Sequence, residues 1–395
     1  MKNGIFESLN RLFLLVFSFT LLAISVSIAQ KSNDVISKTE ITIISKILDE
    51  ERNISIYLPE NYELTTQRYP ALFLLDGPGN FQHAIGAVDF LSNRGIIPKL
   101  IVIAIHNVDR NRDFSPVYDE RIPTSGGAEK FLDFVSEELI NHIDNNYRVS
   151  NFKIILGHSF GGTFAAYSLL TKPNIFDAYI TISPYLHYAD NYLVKEAKKS
   201  LKSNYDSHKY FYMTVGNEPE YFSALEKFSS IINEKSTKTI DFEYSNWTNE
   251  NHVTIPYLGL YKGLKFVFTD WQLPLVDWQL ALIDQEKGLL AIDEHYKKTS
   301  ANYKMKLKTP ENLINRLGYI YLQKKDLENA IKIFTENVKR YPKSPNVYDS
   351  LGEAFETNKQ LKLAKKNYQK AYDLGTSVNS INTSVYKKNL DRLKQ

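Results

Sequence analysis

Residues 154–166 read IILGHSFGGTFAA. Within this segment GHSFG, residues 157–161, fits the pattern G-x-S-x-G, with an apolar run of strand length before it and a helix-forming run after it. A strand, a tight turn and a helix in this order are typical of the turn that exposes a nucleophilic serine, here Ser159, at the end of a strand. Glycine is needed on both sides because the two backbones approach too closely for a Cβ atom. The competing interpretation is a structural turn with an inert serine.

The first 270 residues alternate between strand-like and helix-like patterns. Runs that are apolar on both faces lie at residues 71–75, 100–105, 153–156, 178–182, 210–215 and 240–244. Helical periodicity separates them, notably at residues 128–145, 163–170, 221–232 and 256–267. Two β-rich segments, residues 40–47 and 54–58, come first and predict a short antiparallel pair. The alternation predicts an α/β fold with a mostly parallel central sheet and right-handed crossovers.

From about Trp271 the strand signal ends and a period of 34 residues becomes visible. The pairs at this spacing are Leu317-Gly318 with Leu351-Gly352, Tyr321 with Phe355, Ala330 with Ala364 and Phe334 with Tyr368. Each unit pairs two helices around a small residue and leaves an apolar face that only a neighbouring unit buries. Residues 315–375 resemble the tetratricopeptide repeat, with a generic pair of helical hairpins as the alternative. Helices at 279–298 and 383–394 are expected to cap the two units.

The amino terminus has the order of a secretory signal peptide. Lys2 and Arg11 precede an apolar run over residues 12–28, and small residues end at Ala29. This order predicts cleavage after Ala29 and export to the periplasm or the extracellular space, with no stable membrane span in the mature protein. An uncleaved membrane anchor is the alternative, because the run is near the lower length limit for spanning.

Composition excludes several classes of function. The 395 residues contain no cysteine, which excludes disulfides, thiolate metal sites and a cysteine nucleophile. Lys plus Arg number 48 against 45 Asp plus Glu, so the net charge of +3 gives no reason to expect a nucleic acid partner. Residues 310–395 hold 16 basic against 9 acidic residues, which usually marks only a solvated face. No P-loop, dinucleotide fingerprint or metal-ligand spacing occurs, so no cofactor or metal is expected.

A serine nucleophile needs a base, and four histidines follow Ser159 in the chain. His208 opens a strand and belongs to the wrong end of the sheet, and His295 lies in the helical part. His187 comes too early to leave room for an acid on a later strand. His252 lies in a polar loop between the last strand and a helix, which fits the order serine, acid, histidine. His252 is therefore the expected base, with an ordinary surface histidine as the alternative.

The acid of the triad is expected in the loop after residues 210–215, which reads GNEPE. Glu218 is the first candidate, because a carboxylate here would hold the imidazole and favour its charged form. Glu220 and Glu250 stay open as alternatives.

The oxyanion of the tetrahedral intermediate needs two backbone N–H donors. Phe160, the residue after the nucleophile, is expected to supply one of them. The loop at residues 76–80 follows an earlier strand and is expected to supply the other. Pro78 has no N–H, which leaves Gly77 or Gly79.

These residues and their neighbours resemble the esterase family related to esterase D, which includes enterobactin-type siderophore esterases and feruloyl or acetyl carbohydrate esterases. The matching motifs are Arg52 with residues 57–59, residues 69–70 through 75–77, Asn107 through residues 112–113, residues 157–162, Ser183-Pro184 and His252. The resemblance spans about residues 38–270. The resemblance implies an α/β-hydrolase fold, with Ser159 as the nucleophile, His252 as the histidine and Glu218 as the acid. The sequence departs from many relatives by having Glu in place of Asp, and some siderophore esterases use a Ser–His pair. Arg110 and Arg112 match a segment near the mouth of the active site.

The expected organisation is a signal peptide at 1–29, an α/β-hydrolase domain at 30–270, a helical linker at 271–309 and a tetratricopeptide-like module at 310–395. The expected activity is hydrolysis of a small-molecule ester through an acyl-enzyme, with a siderophore or an acylated carbohydrate as the substrate. Two alternatives stay open: an acyltransferase of the same fold, and a partner-binding protein on a degenerate hydrolase scaffold. The repeats are expected to bind a protein partner or to cover part of the active-site mouth.

Overall fold

The computed structural model describes residues 38–235, 238–274 and 288–393, and an eight-stranded sheet forms its centre. The strands are β1 (Lys38–Ser45), β2 (Glu50–Tyr57), β3 (Tyr69–Leu74), β4 (Ile101–Ile105), β5 (Val149–His158), β6 (Ala178–Ile182), β7 (Lys209–Val215) and β8 (Ile240–Asn246). Their order across the sheet is β1-β2-β4-β3-β5-β6-β7-β8. β2 runs antiparallel to both β1 and β4, and all other neighbours are parallel. The predicted α/β fold with a mostly parallel sheet is confirmed.

Among the described residues, seven helical segments and one short 3-10 turn (Tyr62–Leu64) accompany the sheet. The helical segments are α1 (Gly77–Asn93), α2 (Arg110–Phe114), α3 (Ala128–Asp133, a π-helical turn at Phe134–Leu139, then Ile140–Asn146), α4 (Phe160–Thr171), α5 (Tyr188–Ser200), α6 (Pro219–Lys235) and α7 (Ile255–Val267). Apolar side chains of α3, α4, α5 and α6 pack on one face of the sheet, and those of α1 and α7 pack on the other. Both faces of the central strands are therefore buried, which explains why their sequences are apolar throughout.

Helix α1 occupies a segment that the sequence suggested was a loop. The expected loop at residues 76–80 is instead the start of α1, which begins at Gly77. Pro78 fits the first helical turn, where the missing N–H has no helical partner to lose. Phe81, Ala84 and Ile85 then bury the helix against the sheet. Gly77 and Gly79 therefore lie in a helix N-terminus, not in a free loop.

The carboxyl-terminal part is helical. After α8 (Gly288–Asn302) come α9 (Glu311–Gln323), α10 (Leu327–Arg340), α11 (Pro345–Thr357), α12 (Leu361–Ser377) and α13 (Thr383–Arg392). A Cβ atom on Gly318 would lie 2.5 Å from the Phe334 ring, and one on Gly352 would lie 2.7 Å from the Tyr368 ring. Close packing of a glycine against an aromatic ring thus explains the 34-residue period, and the tetratricopeptide-like fold is confirmed.

The segment expected as a linker joins the two parts through buried side chains. Ile292 on α8 belongs to the core of the repeats, whereas Tyr303, just after α8, is fully buried in the core of the α/β part. The Tyr303 ring lies 5.2 Å from Phe152, and Lys304 Nζ lies 2.5 Å from an oxygen of Asp177. Trp271 also packs there, 6.1 Å from the Tyr303 ring. Residues 275–287, which the sequence led us to expect to pack nearby through Trp278, Leu280 and Leu282, lie outside the described residues, as does the expected signal peptide.

Candidate active site

Ser159 occupies a sharp turn between β5 and α4. Its backbone has φ 57° and ψ −122°, a conformation that non-glycine residues rarely adopt. A Cβ atom on Gly157 would lie 2.1 Å from the carbonyl oxygen of Gly161, and one on Gly162 would lie 3.1 Å from that of Gly157. Gly157 is thus sterically required, as the sequence predicted, whereas a Cβ atom on Gly161 would meet its nearest neighbour, a side-chain oxygen of Asp76, at 3.2 Å. Pairing of β5 with β6 continues to His158, so Ser159 follows the last paired residue directly.

His252 and Glu218 meet at the same edge of the sheet. His252 Nδ1 lies 2.5 Å from Glu218 Oε2. The Glu218 side chain is 5% exposed and that of His252 is 38% exposed, so the carboxylate is enclosed while the ring reaches the surface. The other carboxylate oxygen, Oε1, accepts hydrogen bonds from Ser183 Oγ at 2.6 Å and from the Gly216 N–H at 3.1 Å. The structure therefore brings Glu218 to His252.

The two alternative acids are placed differently. Glu220 is exposed on the first turn of α6. Glu250 contributes its backbone carbonyl, which accepts the Asn217 N–H at 2.6 Å. Among the alternative bases, His208 pairs with Asp241 at 3.0 Å beside the amino end of β7, and His295 lies on α8. His187, the third histidine set aside as a base, lies 4.9 Å from the Tyr221 ring.

Tyr221 and His158 complete the surroundings of His252, and sequence reasoning missed both. The His158 and His252 rings lie 4.4 Å apart, and the Tyr221 and His252 rings lie 5.6 Å apart. Burial, followed by the charge of His252, lowers the pKa of His158 to about 4. Burial, followed by the charge of Glu218, raises the pKa of Tyr221 to about 12, and a hydrogen bond with the Ser159 side chain opposes this shift. The phenol is therefore neutral at physiological pH and lies next to the nucleophile.

An aromatic wall flanks the serine turn. We use this name for Phe160, Tyr185, His187, Tyr188 and Tyr221. Neighbouring rings in it contact each other edge to face, for example Phe160 with Tyr185 at 5.0 Å and His187 with Tyr221 at 4.9 Å. Tyr185 and His187 directly follow the Ser183-Pro184 motif after β6. The aromatic residues after this motif were the feature of the sequence from which the aromatic wall could have been predicted. An aromatic surface beside a nucleophile favours apolar or aromatic parts of a substrate.

The two expected oxyanion donors differ in their surroundings. Phe160 is the first residue of α4, so its N–H is one of those that lack a helical acceptor. Gly77 is buried, and a Cβ atom there would lie 2.8 Å from the Ile105 carbonyl oxygen, whereas Gly79 is exposed with nothing within 4 Å of such an atom. Only Gly77 is therefore held in close contact with the end of a neighbouring strand.

The repeats lie away from this site. Ser159, Ser183, Glu218 and His252 follow the carboxyl ends of β5 to β8. Lys304 contacts Asp177, which precedes β6, so the chain that leads into the repeats docks at the amino ends of the strands. The expectation that the repeats cover the active-site mouth is therefore wrong for the described residues, since parallel strands place these two edges on opposite sides of the sheet.

Metal-binding clusters and membrane-spanning helices are both absent from residues 38–235, 238–274 and 288–393. These ranges contain no group of three or more His, Asp or Glu side chains arranged to hold a metal ion. None of their helices combines the length and apolarity needed to cross a membrane.

Comparison with known proteins links the sequence to an esterase family. The family model described as "Putative esterase" matches residues 45–254, and a tetratricopeptide repeat model matches residues 312–344. The ferri-bacillibactin esterase of Bacillus subtilis is 28% identical over 226 residues, which covers 50% of this chain and 78% of the relative. The siderophore enterobactin esterase of Emericella nidulans is 32% identical over 113 residues, which covers 25% of this chain and 37% of the relative.

Solved structures share the fold. An IroE-like serine hydrolase from Shewanella oneidensis superposes with a TM-score of 0.64 at 24% identity, over 77% of this chain and 100% of its own. A protein from Capnocytophaga ochracea, whose function is uncharacterised, superposes with a TM-score of 0.69 at 18% identity, over 91% of this chain and 99% of its own. The second similarity extends beyond the α/β part into the repeats.

Proposed function

Because the chain belongs to this esterase family, which makes it a carboxylic ester hydrolase, we propose that it cleaves esters through Ser159, His252 and Glu218 and a covalent acyl-enzyme. The observation that carries the proposal is the 2.5 Å contact between His252 Nδ1 and Glu218 Oε2 at the edge where the strained Ser159 turn ends β5. A histidine held by a buried acid, at the same edge of the sheet as a half-buried serine, fits the arrangement that activates a hydroxyl nucleophile.

The proposed reaction has two halves. Ser159 Oγ attacks the ester carbonyl carbon while His252 accepts its proton, and the tetrahedral intermediate then collapses as His252 protonates the leaving alcohol. Water next attacks the acyl-enzyme, His252 accepts a proton from it, and the acid leaves as Ser159 regains its proton. Glu218 stays ionised and stabilises the imidazolium in both halves.

The contacts of Glu218 support its proposed role. Its Oε1 is held by two donors, Ser183 and the Gly216 N–H, so Oε2 is directed at His252 Nδ1. An Nδ1–H that donates to this oxygen leaves Nε2 unprotonated and free to accept the serine proton. Burial of the carboxylate also strengthens its interaction with the imidazolium.

For the oxyanion hole we propose the backbone N–H groups of Phe160 and Gly77. Both lie in the first turn of a helix, where N–H groups lack helical acceptors and the helix dipole favours negative charge. The close contact of Gly77 with Ile105 favours it over the exposed Gly79.

We further propose that the substrate is a siderophore or an acylated carbohydrate ester, that the protein is exported, and that its repeats bind a protein partner. Relatives named as siderophore esterases and the aromatic wall support the substrate class. The repeat model match supports the partner. Transfer of the acyl group to an alcohol acceptor is the second candidate reaction, since the His252 ring is exposed enough for either water or an alcohol to approach.

The experiment that tests this proposal is labelling with a fluorophosphonate followed by an ester panel. The purified protein should react covalently at Ser159 and should hydrolyse 4-nitrophenyl butyrate and one of three further classes: siderophore, feruloyl or acetyl-sugar esters. A parallel reaction with excess alcohol separates free acid from a new ester, and so hydrolysis from transfer. A folded wild-type protein that neither labels nor turns over any ester would refute the proposal and favour a degenerate scaffold.

A further inference from the structure

We propose that Arg110 is a positioning residue for the oxyanion hole, because its guanidinium joins the segment before Gly77 to the segment before Ser159. This inference rests on the proposed function of the site. Arg110 begins α2, which follows β4, and its side chain is 32% exposed at the carboxyl edge of the sheet.

The first connection is to Asp76. Arg110 Nε lies 2.6 Å from Asp76 Oδ1, and Nη2 lies 3.0 Å from Oδ2, which is a bidentate pair. Asn107 Nδ2 adds a third donor to Oδ1 at 2.6 Å. Asp76 has a left-handed backbone, φ 54° and ψ 43°, directly before Gly77. Such a conformation persists when surrounding contacts hold it, and a planar guanidinium fixes a carboxylate in both distance and plane.

The second connection is to the serine turn. The same Nη2 donates to the carbonyl oxygen of His158 at 3.2 Å. His158 is the last residue of β5 and precedes Ser159, whose φ is also positive. One guanidinium therefore restrains the backbone just before each proposed oxyanion donor, Gly77 on one side and Phe160 on the other.

Charge gives the contact a second consequence. Asp76 Oδ2 lies 3.2 Å from the position that a Cβ atom on Gly161 would take, so a carboxylate sits beside the serine turn. Negative charge at this place would oppose an oxyanion that develops at the same turn. Arg110 neutralises the carboxylate, and its guanidinium also lies 6.0 Å from the Phe160 ring, which packs it against the first turn of α4.

A competing role for Arg110 is direct binding of an anionic substrate group. The two roles differ in kinetics. A positioning residue that acts through the oxyanion hole affects the transition state, so its loss lowers kcat at nearly constant KM. Loss of a residue that binds the substrate equally in the ground state and the transition state raises KM instead and leaves kcat unchanged.

The test compares Arg110→Gln and Arg110→Lys with Arg121→Gln on the full chain, using the neutral ester 4-nitrophenyl butyrate. Arg121 is the matched control, because it forms the same kind of bidentate pair, with Asp119, on an exposed surface. We expect Arg110→Gln to lower kcat about 10- to 100-fold with KM changed less than about threefold. Arg110→Lys should lose less, since it keeps the charge but lacks the planar fork. Arg121→Gln should match the wild type.

A double variant makes the test specific. If Arg110 acts through Asp76, then Asp76→Asn combined with Arg110→Gln should be no slower than Arg110→Gln alone, because the uncompensated carboxylate is gone. Thermal unfolding of every variant controls for folding, and Arg110→Lys carries the comparison if Arg110→Gln does not fold. Unchanged kcat in Arg110→Gln, or a raised KM at constant kcat, would overturn the inference. If the wild type turns over the ester and Ser159→Ala does not, the proposed function stands even when the inference on Arg110 fails. Failure of the inference and failure of the proposed function are therefore distinguishable.

Discussion

Ser183 Oγ donates a 2.6 Å hydrogen bond to Glu218 Oε1, the carboxylate oxygen that does not face His252. The carboxylate is therefore oriented by a residue that follows a different strand, β6, from the one that precedes Glu218. We predict that Ser183→Ala keeps the fold and lowers kcat about 3- to 30-fold, because a less well oriented carboxylate holds the imidazole less well. Steady-state kinetics check this, with Ser168→Ala as a control: Ser168 is a buried serine whose hydroxyl donates to the Ala165 carbonyl oxygen within α4.

Loss of the nucleophile should have the largest effect. We predict that Ser159→Ala folds normally and loses ester hydrolysis by about three to six orders of magnitude, with a similar loss in His252→Ala, since only oxyanion binding remains. Turnover of 4-nitrophenyl butyrate and circular dichroism measure the two properties. A Ser159→Ala protein with activity close to the wild type would show that the serine turn is structural.

The acid is tested by an isosteric change. We predict that Glu218→Gln lowers kcat about 10- to 10,000-fold, because an amide does not stabilise the imidazolium and favours the wrong tautomer. Glu220→Gln and Glu250→Gln should retain wild-type kcat, as neither carboxylate is the one held against His252. Equal activity of Glu218→Gln and the wild type would instead indicate a working Ser–His pair.

Stability should depend on pH through His158. Its pKa is about 4 in the folded protein against a usual value of 6.5, so between these values the unfolded chain binds a proton that the folded chain does not. Stability is therefore present above pH 6.5 and is lost as pH falls toward 4, by on the order of 3 kcal/mol for this group.

Urea unfolding at pH 7 and pH 4.5 should show a smaller loss of unfolding free energy in His158→Gln than in the wild type. His106 and His187, whose pKa values burial also lowers, are common to both proteins and cancel in the comparison. Equal losses would contradict the assignment.

The repeats should be separable from the active site, provided that Tyr303 is kept. We predict that truncation after Lys308 leaves turnover of small and large esters unchanged, because the repeats dock at the amino edge of the sheet. The solubility of the truncated protein should fall, because Ile292 would lose the side chains of the repeats that bury it and become exposed to solvent. Truncation after Asp270 should unfold the domain or destabilise it strongly, and Tyr303→Ala alone should cost about 3–5 kcal/mol. Loss of all activity in a folded Lys308 truncation would refute separability.

Local patterns were enough to predict the turn at Ser159, the strands, and the loops that hold His252 and Glu218. The turn and the strands depend on steric rules or on apolar runs within a few residues, and the two loops follow from the order serine, acid, histidine along the strands. The pairing of Arg110 with Asp76, the contact of the Tyr221 ring with His252 and the insertion of Tyr303 join residues distant in sequence, and no local pattern encodes them. The sequence also concealed α1, because two glycines and a proline at its start match a loop as well as a first helical turn.

The docking of the repeats at the amino edge has a consequence for how the enzyme would work when tethered. A partner bound to the repeats would hold the enzyme at the amino ends of the strands. The Ser159 turn lies at the carboxyl ends and would stay accessible to solvent. Such a tether would raise the local concentration of the catalyst near the partner's own ligands without narrowing the range of molecules that reach the serine. The aromatic wall would then select among substrates, and the repeats would determine where the enzyme is located.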